Sequence, residues 1–167
     1  MWTALGSTLL HLHRRDDAIR AYERAIKEDD TEGVATQRLA TLYKQMGDEE
    51  KAARCYMRHL ELRYQVTNPA ASAEEAVPKN IDTLLQGLAL ESQEAEACLF
   101  LASYHQKHAE YDTAMVFCSR LLDYPGPEKD MAKGMLRELK TRKRGPGYNT
   151  RSQAAAASSN DGFVFSP

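Results

Sequence analysis

Apolar residues recur along most of the chain at the three- and four-residue spacings of half-buried helices, with polar breaks between them. A first helix is predicted over about residues 1–13 and a second over about 16–28, where Ala18, Tyr22, Ala25 and Ile26 form the inward stripe. Asp16 and Asp17 suit the second helix's N-terminus, because exposed amides and the helix dipole favour negative charge there. A second pair is predicted over about 31–45 and 48–64. Leu39, Leu42 and Tyr43 face inward on one helix, and Ala52, Cys55, Tyr56 and Leu60 on the other. Gly47 breaks this pair and Asp48 caps its second helix. Asp29 and Asp30 separate the two pairs and can cap the third helix, with Glu32 three residues after Asp29 supporting a capping arrangement.

The pairs repeat. A shift of about 34 residues carries Leu5 to Leu39, Gly6 to Ala40, Ala18 to Ala52 and Tyr22 to Tyr56. Small residues recur where two helices approach closely, and a bulky one recurs where a neighbour must be filled. With Trp2 and Ala25, these spacings resemble the tetratricopeptide repeat, a helix–turn–helix unit. The expected fold is therefore an all-α solenoid of antiparallel helix pairs over 1–143, with repeats at about 1–32, 33–66 and 95–128. Aligning Ala114 with Ala52 leaves an insertion of about 28 residues, at 67–94, beyond one period. Its first part, around Asn68-Pro69, reads as a loop. Its second part carries Ile81, Leu84, Leu85 and Leu88 behind Pro78, an amphipathic helix free to run on past Gly87 into the third repeat. That repeat has Leu101, Ala102 and Ala114 at the repeat positions, and Cys118 in place of tyrosine. Pro125-Gly126-Pro127 ends it, and a helix over 128–143 with Met131, Met135, Leu136 and Leu139 on one face reads as the polar-backed cap an array needs. The Ala-, Ser- and Asn-rich tail at 144–167 is expected to be disordered. At the other end, Trp2 and Leu5 lack the helical turn and neighbour a repeat would give them, so the array is expected to continue before Met1 as part of a longer protein.

Charge changes the picture little. Lys and Arg (22) nearly balance Asp and Glu (24), so no overall field recruits nucleic acid or an anionic membrane. No apolar run approaches the roughly 18 residues of a membrane span, and no leader sequence is visible, so a soluble intracellular protein is expected. Cys55, Cys98 and Cys118 are isolated within helical patterns and read as small core residues in a reducing compartment.

Candidate chemistry is sparse. His11 and His13 face different ways on a helix; His105 and His108 share a face but have no third ligand at a metal-binding spacing. No nucleophile elbow, phosphate-gripping glycine loop or paired catalytic carboxylates occur, so no enzyme, metal or cofactor is expected. Lys140, Arg142, Lys143 and Arg144 end a helix, where cations complement its dipole; a nuclear-import patch is the functional alternative. Binding is the remaining role. In stacked repeats the first helices line the concave side. The candidate partner groove is Thr3, Ser7 and His11, then Gln37, Thr41, Lys44 and Gln45, then Leu99, Ser103, Gln106 and Lys107.

Met1-Trp2-Thr3-Ala4-Leu5-Gly6, Leu39-Ala40-Thr41-Leu42-Tyr43, Ala52-Ala53-Arg54-Cys55-Tyr56, Leu101-Ala102-Ser103-Tyr104 and Lys133-Gly134-Met135-Leu136-Arg137 together resemble the C-terminal repeats of the anaphase-promoting complex (cyclosome) subunit 8 family. Asp30 and Cys118 depart from the usual proline and aromatic. The resemblance implies a non-catalytic scaffold of a ubiquitin ligase controlling the cell cycle, in nucleus and cytoplasm. It also implies contact with other tetratricopeptide subunits, a groove for a coactivator motif, and homodimerisation through N-terminal repeats that this sequence lacks. Two alternatives stand beside it: a carboxylate-clamping adaptor or co-chaperone, disfavoured because Thr3, Ser7, Gln37 and Thr41 stand where Lys and Asn are needed, and the repeat arm of an enzyme.

Overall fold

A computed structural model describes residues 1–31, 33–69 and 78–144. Among them are eight helices: α1 (Trp2–His11), α2 (Arg15–Asp29), α3 (Val34–Met46), α4 (Glu49–Thr67), α5 (Ile81–Gln86), α6 (Ser92–Lys107), α7 (Tyr111–Leu121) and α8 (Glu128–Arg144). α1/α2, α3/α4 and α6/α7 are antiparallel pairs, each next stacked on the last, and α8 closes against α7. This is an all-α tetratricopeptide solenoid. The tail expected from 144 on lies, after Arg144, outside the described residues, as do the loop residues 70–77, Glu32 and the Asp29 side chain.

Three equivalent turns fold the pairs. Each has a residue in the left-handed region after the first helix: His13 (φ 59°), Gly47 (φ 81°) and Ala109 (φ 61°). The next amide then reaches back five residues, Arg14 to the Leu9 carbonyl (2.9 Å), Asp48 to Tyr43 (3.0 Å) and Glu110 to His105 (2.9 Å). That bond satisfies a carbonyl the helix end would orphan. Only Gly47 adopts the conformation without steric cost. The start of α3 is capped by Asp30, whose carboxylate accepts from the amides of Ala35 (2.9 Å) and Thr36 (2.8 Å) and from the Thr36 hydroxyl.

The core repeats with the turns. Ala18, Ala52 and Ala114 are fully buried, as are Tyr22, Tyr56 and Cys118. Where cysteine replaces the phenol, the preceding Phe117 is buried instead and stacks on His105, ring centroids 5.7 Å apart. Gly6 lies against the Tyr22 ring so closely that a Cβ there would stand 2.7 Å from it. Leu5 departs from its counterparts: Leu39 and Leu101 are buried, but Leu5 is 43% exposed. One apolar cluster gathers Ala18, Tyr22, Ala25, Ala35, Leu39 and Leu42; a larger one runs from Ala40 and Tyr56 to Leu139 of α8. Tyr43 and Cys55 lie against both. Burial pushes the Cys98 thiol up to about 12 and those of Cys55 and Cys118 to about 11, so all three stay neutral.

The insertion's helix does not run on. α5 closes at Gln86, and α6 opens anew behind a capping box in which Glu91 and Glu94 satisfy each other's backbone amides. Between them the chain passes so near α4 that a Cβ on Gly87 would stand 2.4 Å from the Tyr64 ring. Arg120 of α7 holds this segment, donating to the carbonyls of Leu85 and Leu88 at 2.7 Å each.

Candidate functional site

The first helices of the pairs present small hydroxyls to the phenols of the second helices. Ser7 shares a hydrogen bond with Tyr22 (3.1 Å), and one period later Thr41 shares one with Tyr56 (3.4 Å). The Ser7 hydroxyl also donates to the Thr3 carbonyl at 3.1 Å, and Thr41 to the Gln37 carbonyl at 3.1 Å. These residues therefore hold their helix pairs together while lying at the surface between them.

The second and third pairs meet through a polar cluster. Lys44 of α3 donates to Glu96 of α6 at 2.9 Å, and the Tyr56 hydroxyl, whose one proton is shared between Thr41 and this carboxylate, lies 3.5 Å from it. The Phe100 ring packs on Tyr56 with centroids 5.0 Å apart, and the Lys44 ammonium lies 5.9 Å from its centre. Burial, with the Glu96 charge adding to it, pushes the Tyr56 phenol up to about 12, so it remains a neutral donor. Glu96 and Phe100 were not among the residues read from sequence. Their positions, about two turns and one turn before Ser103 on the same helix face, are the signal that marks them.

The eleven candidate groove residues are not equivalent. Lys44 is joined across to α6 and Thr41 to Tyr56 of α4, and Thr3 and Ser7 are half-buried on α1. Ser103, Leu99 and Gln106 are half-buried on α6, with Leu99 packed on the main core. His11, Gln45 and Lys107 are exposed, and Lys107 turns to α4 to pair with Glu49. Gln37, at 8% exposure, is enclosed. The open part of this face is therefore His11, Gln45 and the Lys44–Glu96 pair, with half-buried hydroxyls and the Phe100 ring beside them.

A second polar cluster, unseen in the sequence, is buried. Glu94 of α6 is 1% exposed; it accepts from Arg63 Nε of α4 at 2.8 Å and from the Glu91 amide at 3.1 Å. His59, equally buried, donates from Nδ1 to the Gly33 carbonyl at 2.9 Å, and its Nε2 lies 3.6 Å from Glu94 Oε1. A carbonyl only accepts, so Nδ1 carries the proton. Burial alone would raise the Glu94 carboxyl, but the His59 imidazole, a backbone amide and the Arg63 charge outweigh it and hold it below its ordinary value. Among the described residues no His, Cys, Asp and Glu group has a metal-holding arrangement, and no helix is long and apolar enough to cross a membrane.

Stacked hairpins with a repeated small–aromatic interlock define a tetratricopeptide-repeat protein, and the family model described as Tetratricopeptide repeat matches residues 2–33 and 35–70. The chain is 35% identical over 129 residues to anaphase-promoting complex subunit 8 of Arabidopsis thaliana, and 34% identical over 128 residues to that of Dictyostelium discoideum. Each alignment takes in 77% of this chain and 19% or 18% of the relative, so the chain spans about a fifth of the length of the curated relatives it matches. Across that shared stretch, which is 77% of the chain, it is similar to anaphase-promoting complex subunit 8.

Proposed function

We propose that this chain serves as a non-catalytic scaffold and protein-interaction element of the anaphase-promoting complex, the ubiquitin ligase that controls cell-cycle progression. Its partners are then other tetratricopeptide subunits and the coactivator, and its place is in nucleus and cytoplasm. The observation that carries the reading is the 35% identity to subunit 8 over 129 residues, spread across a stacked array rather than confined to one repeat. The polar face supports it. Thr41, Lys44, Glu96, Phe100 and Ser103 supply donors, acceptors and one ring, which suits an extended peptide bound through its backbone.

Affinity purification of the protein is expected to recover other tetratricopeptide subunits and a cullin-like ligase core; recovery of chaperones alone would overturn the proposal. A Ser103→Arg variant fills the face while leaving the Thr41–Tyr56 hydrogen bond in place, and is expected to lose the coactivator while keeping the neighbouring subunits. Undiminished coactivator recovery would place that partner elsewhere.

A further inference from the structure

Helix α8 buries Ala132, Leu136 and Leu139 and turns a different edge to solvent. Along that edge stand Lys129, Lys133, Arg137, Lys140 and Arg144, at successive spacings of four, four, three and four residues. At 3.6 residues per turn these five fall within roughly 80° of arc and run for about 22 Å along the helix. The helix's own acids lie off this line. Glu138 takes Arg142, while Asp130, at the edge of the row, takes Lys133 at 2.9 Å. Lys143, on the packed side, reaches across to Asp112 of α7. Lys129, Arg137, Lys140 and Arg144 have no ion pair among the described residues, and the last three are exposed.

We propose that this edge of α8 docks an acidic segment of a partner protein, one with carboxylates repeating every three to four residues. Three observations choose that occupant. The row has the period of a helix face, so a helical segment with Glu or Asp at i, i+4 and i+7 lies along it in phase. Arg137 and Arg144 stand two turns apart, and each offers the planar fork that takes a carboxylate through two parallel hydrogen bonds. Nucleic acid fits less well. α8 contains no aromatic residue on which a base would stack, and Asp130 stands at the edge of the row, where it repels a phosphate. The chain's net charge of −2 supplies no general attraction for a polyanion, so recognition is local to this row.

The test uses the whole 167-residue chain. The probes are a fluorescein-labelled alanine-based helical peptide with glutamates at three- and four-residue spacing, the same composition with the glutamates clustered at one end, and a single-stranded oligonucleotide of equal charge. Binding is followed by fluorescence anisotropy at about 0.15 M salt, where the screening length is about 8 Å. The spaced peptide is expected to bind, more tightly than either comparator and less tightly as salt rises. Arg137→Glu with Lys140→Glu is expected to weaken it by about tenfold or more, and Arg137→Gln with Lys140→Gln by less. Arg20→Glu with Lys27→Glu on α2 makes the same change in net charge and is expected to leave binding within about twofold, since α2 packs on α1 and α3 while α8 packs on α6 and α7. Melting curves of all three variants confirm that the fold is kept. The proposal is overturned by equal loss in the α2 variant, by tighter binding of the oligonucleotide, by equal binding of the clustered peptide, or by no binding of the spaced peptide.

Discussion

Replacing Arg63 with methionine keeps most of the side chain's apolar bulk and removes its charge from beside a carboxylate that has almost no access to water. Glu94 would retain the Glu91 amide at 3.1 Å and lose the guanidinium at 2.8 Å. Removing one partner of a buried ion pair costs about 3–5 kcal/mol, because the remaining charge is left without compensation. Arg63 is 26% exposed, so water reaches the edge of the site, and the lower end, about 3 kcal/mol, is expected. The reciprocal change is milder. Glu94→Gln keeps an oxygen for the capping amide, and the stranded Arg63 can turn to solvent and to Glu91, already 3.7 Å away. Its cost is expected near 1 kcal/mol, that of one hydrogen bond to a charged group partly replaced. Urea unfolding of both variants, read as midpoint times slope, measures the asymmetry; Arg63→Met is expected to lower the melting temperature by about 6–12 °C. Equal losses in the two variants, or a loss under about 0.5 kcal/mol for Arg63→Met, would refute the view that Glu94 is the buried member of the pair.

The same carboxylate sets an acid limit. Its pKa is lowered in the fold, so its contribution is fully present above the unfolded value of about 4.3 and lost as pH falls through the folded value. The stability gap between the native chain and Glu94→Gln is therefore expected to close below about pH 4 in acid titrations followed by circular dichroism. Gly6→Ala, which places a Cβ 2.7 Å from the Tyr22 ring, is expected to cost about 1–3 kcal/mol in thermal melts, although alanine occupies the equivalent positions 40 and 102. Ala109→Gly relieves a left-handed backbone at φ 61°, and a gain of about 0.5–1 kcal/mol is expected once glycine's extra unfolded freedom is subtracted.

What the sequence made legible was whatever repeats or lies close along the chain. Ala18, Ala52 and Ala114 mark the buried seams because a side chain larger than a methyl would hold the helices apart. Tyr22 and Tyr56 mark the filled gaps. Helix phase puts Thr41 and Lys44 on one side of α3, where Thr41 meets Tyr56 and Lys44 meets Glu96. Depth along that face was not readable: Gln37 is enclosed and Lys107 is drawn off to Glu49, because both depend on how far neighbouring helices overlap. The Arg63–Glu94 pair had no local signal at all. Its members stand on opposite sides of the insertion, and each looks like an ordinary charge on a solvated helix. The turns at His13 and Ala109 were hidden for the opposite reason. Neither residue favours positive φ, and only their equivalence to Gly47 points to it.

The insertion has a mechanical meaning. An array of stacked hairpins bends by small slips at every joint and so behaves as a spring. Here one joint is braced from outside: Arg120 grips two carbonyls of the inserted segment, and Asn68 at the end of α4 donates to the Gly87 carbonyl at 3.1 Å. The joint between α2 and α3 has no inserted segment beside it: it is closed by the apolar cluster of Ala18, Tyr22, Ala25, Ala35, Leu39 and Leu42, with the Tyr43 hydroxyl donating to Glu23 at 3.4 Å. The inserted segment thus splints the second joint, tying α4 to α7 through main-chain carbonyls that no side-chain substitution within the segment would remove.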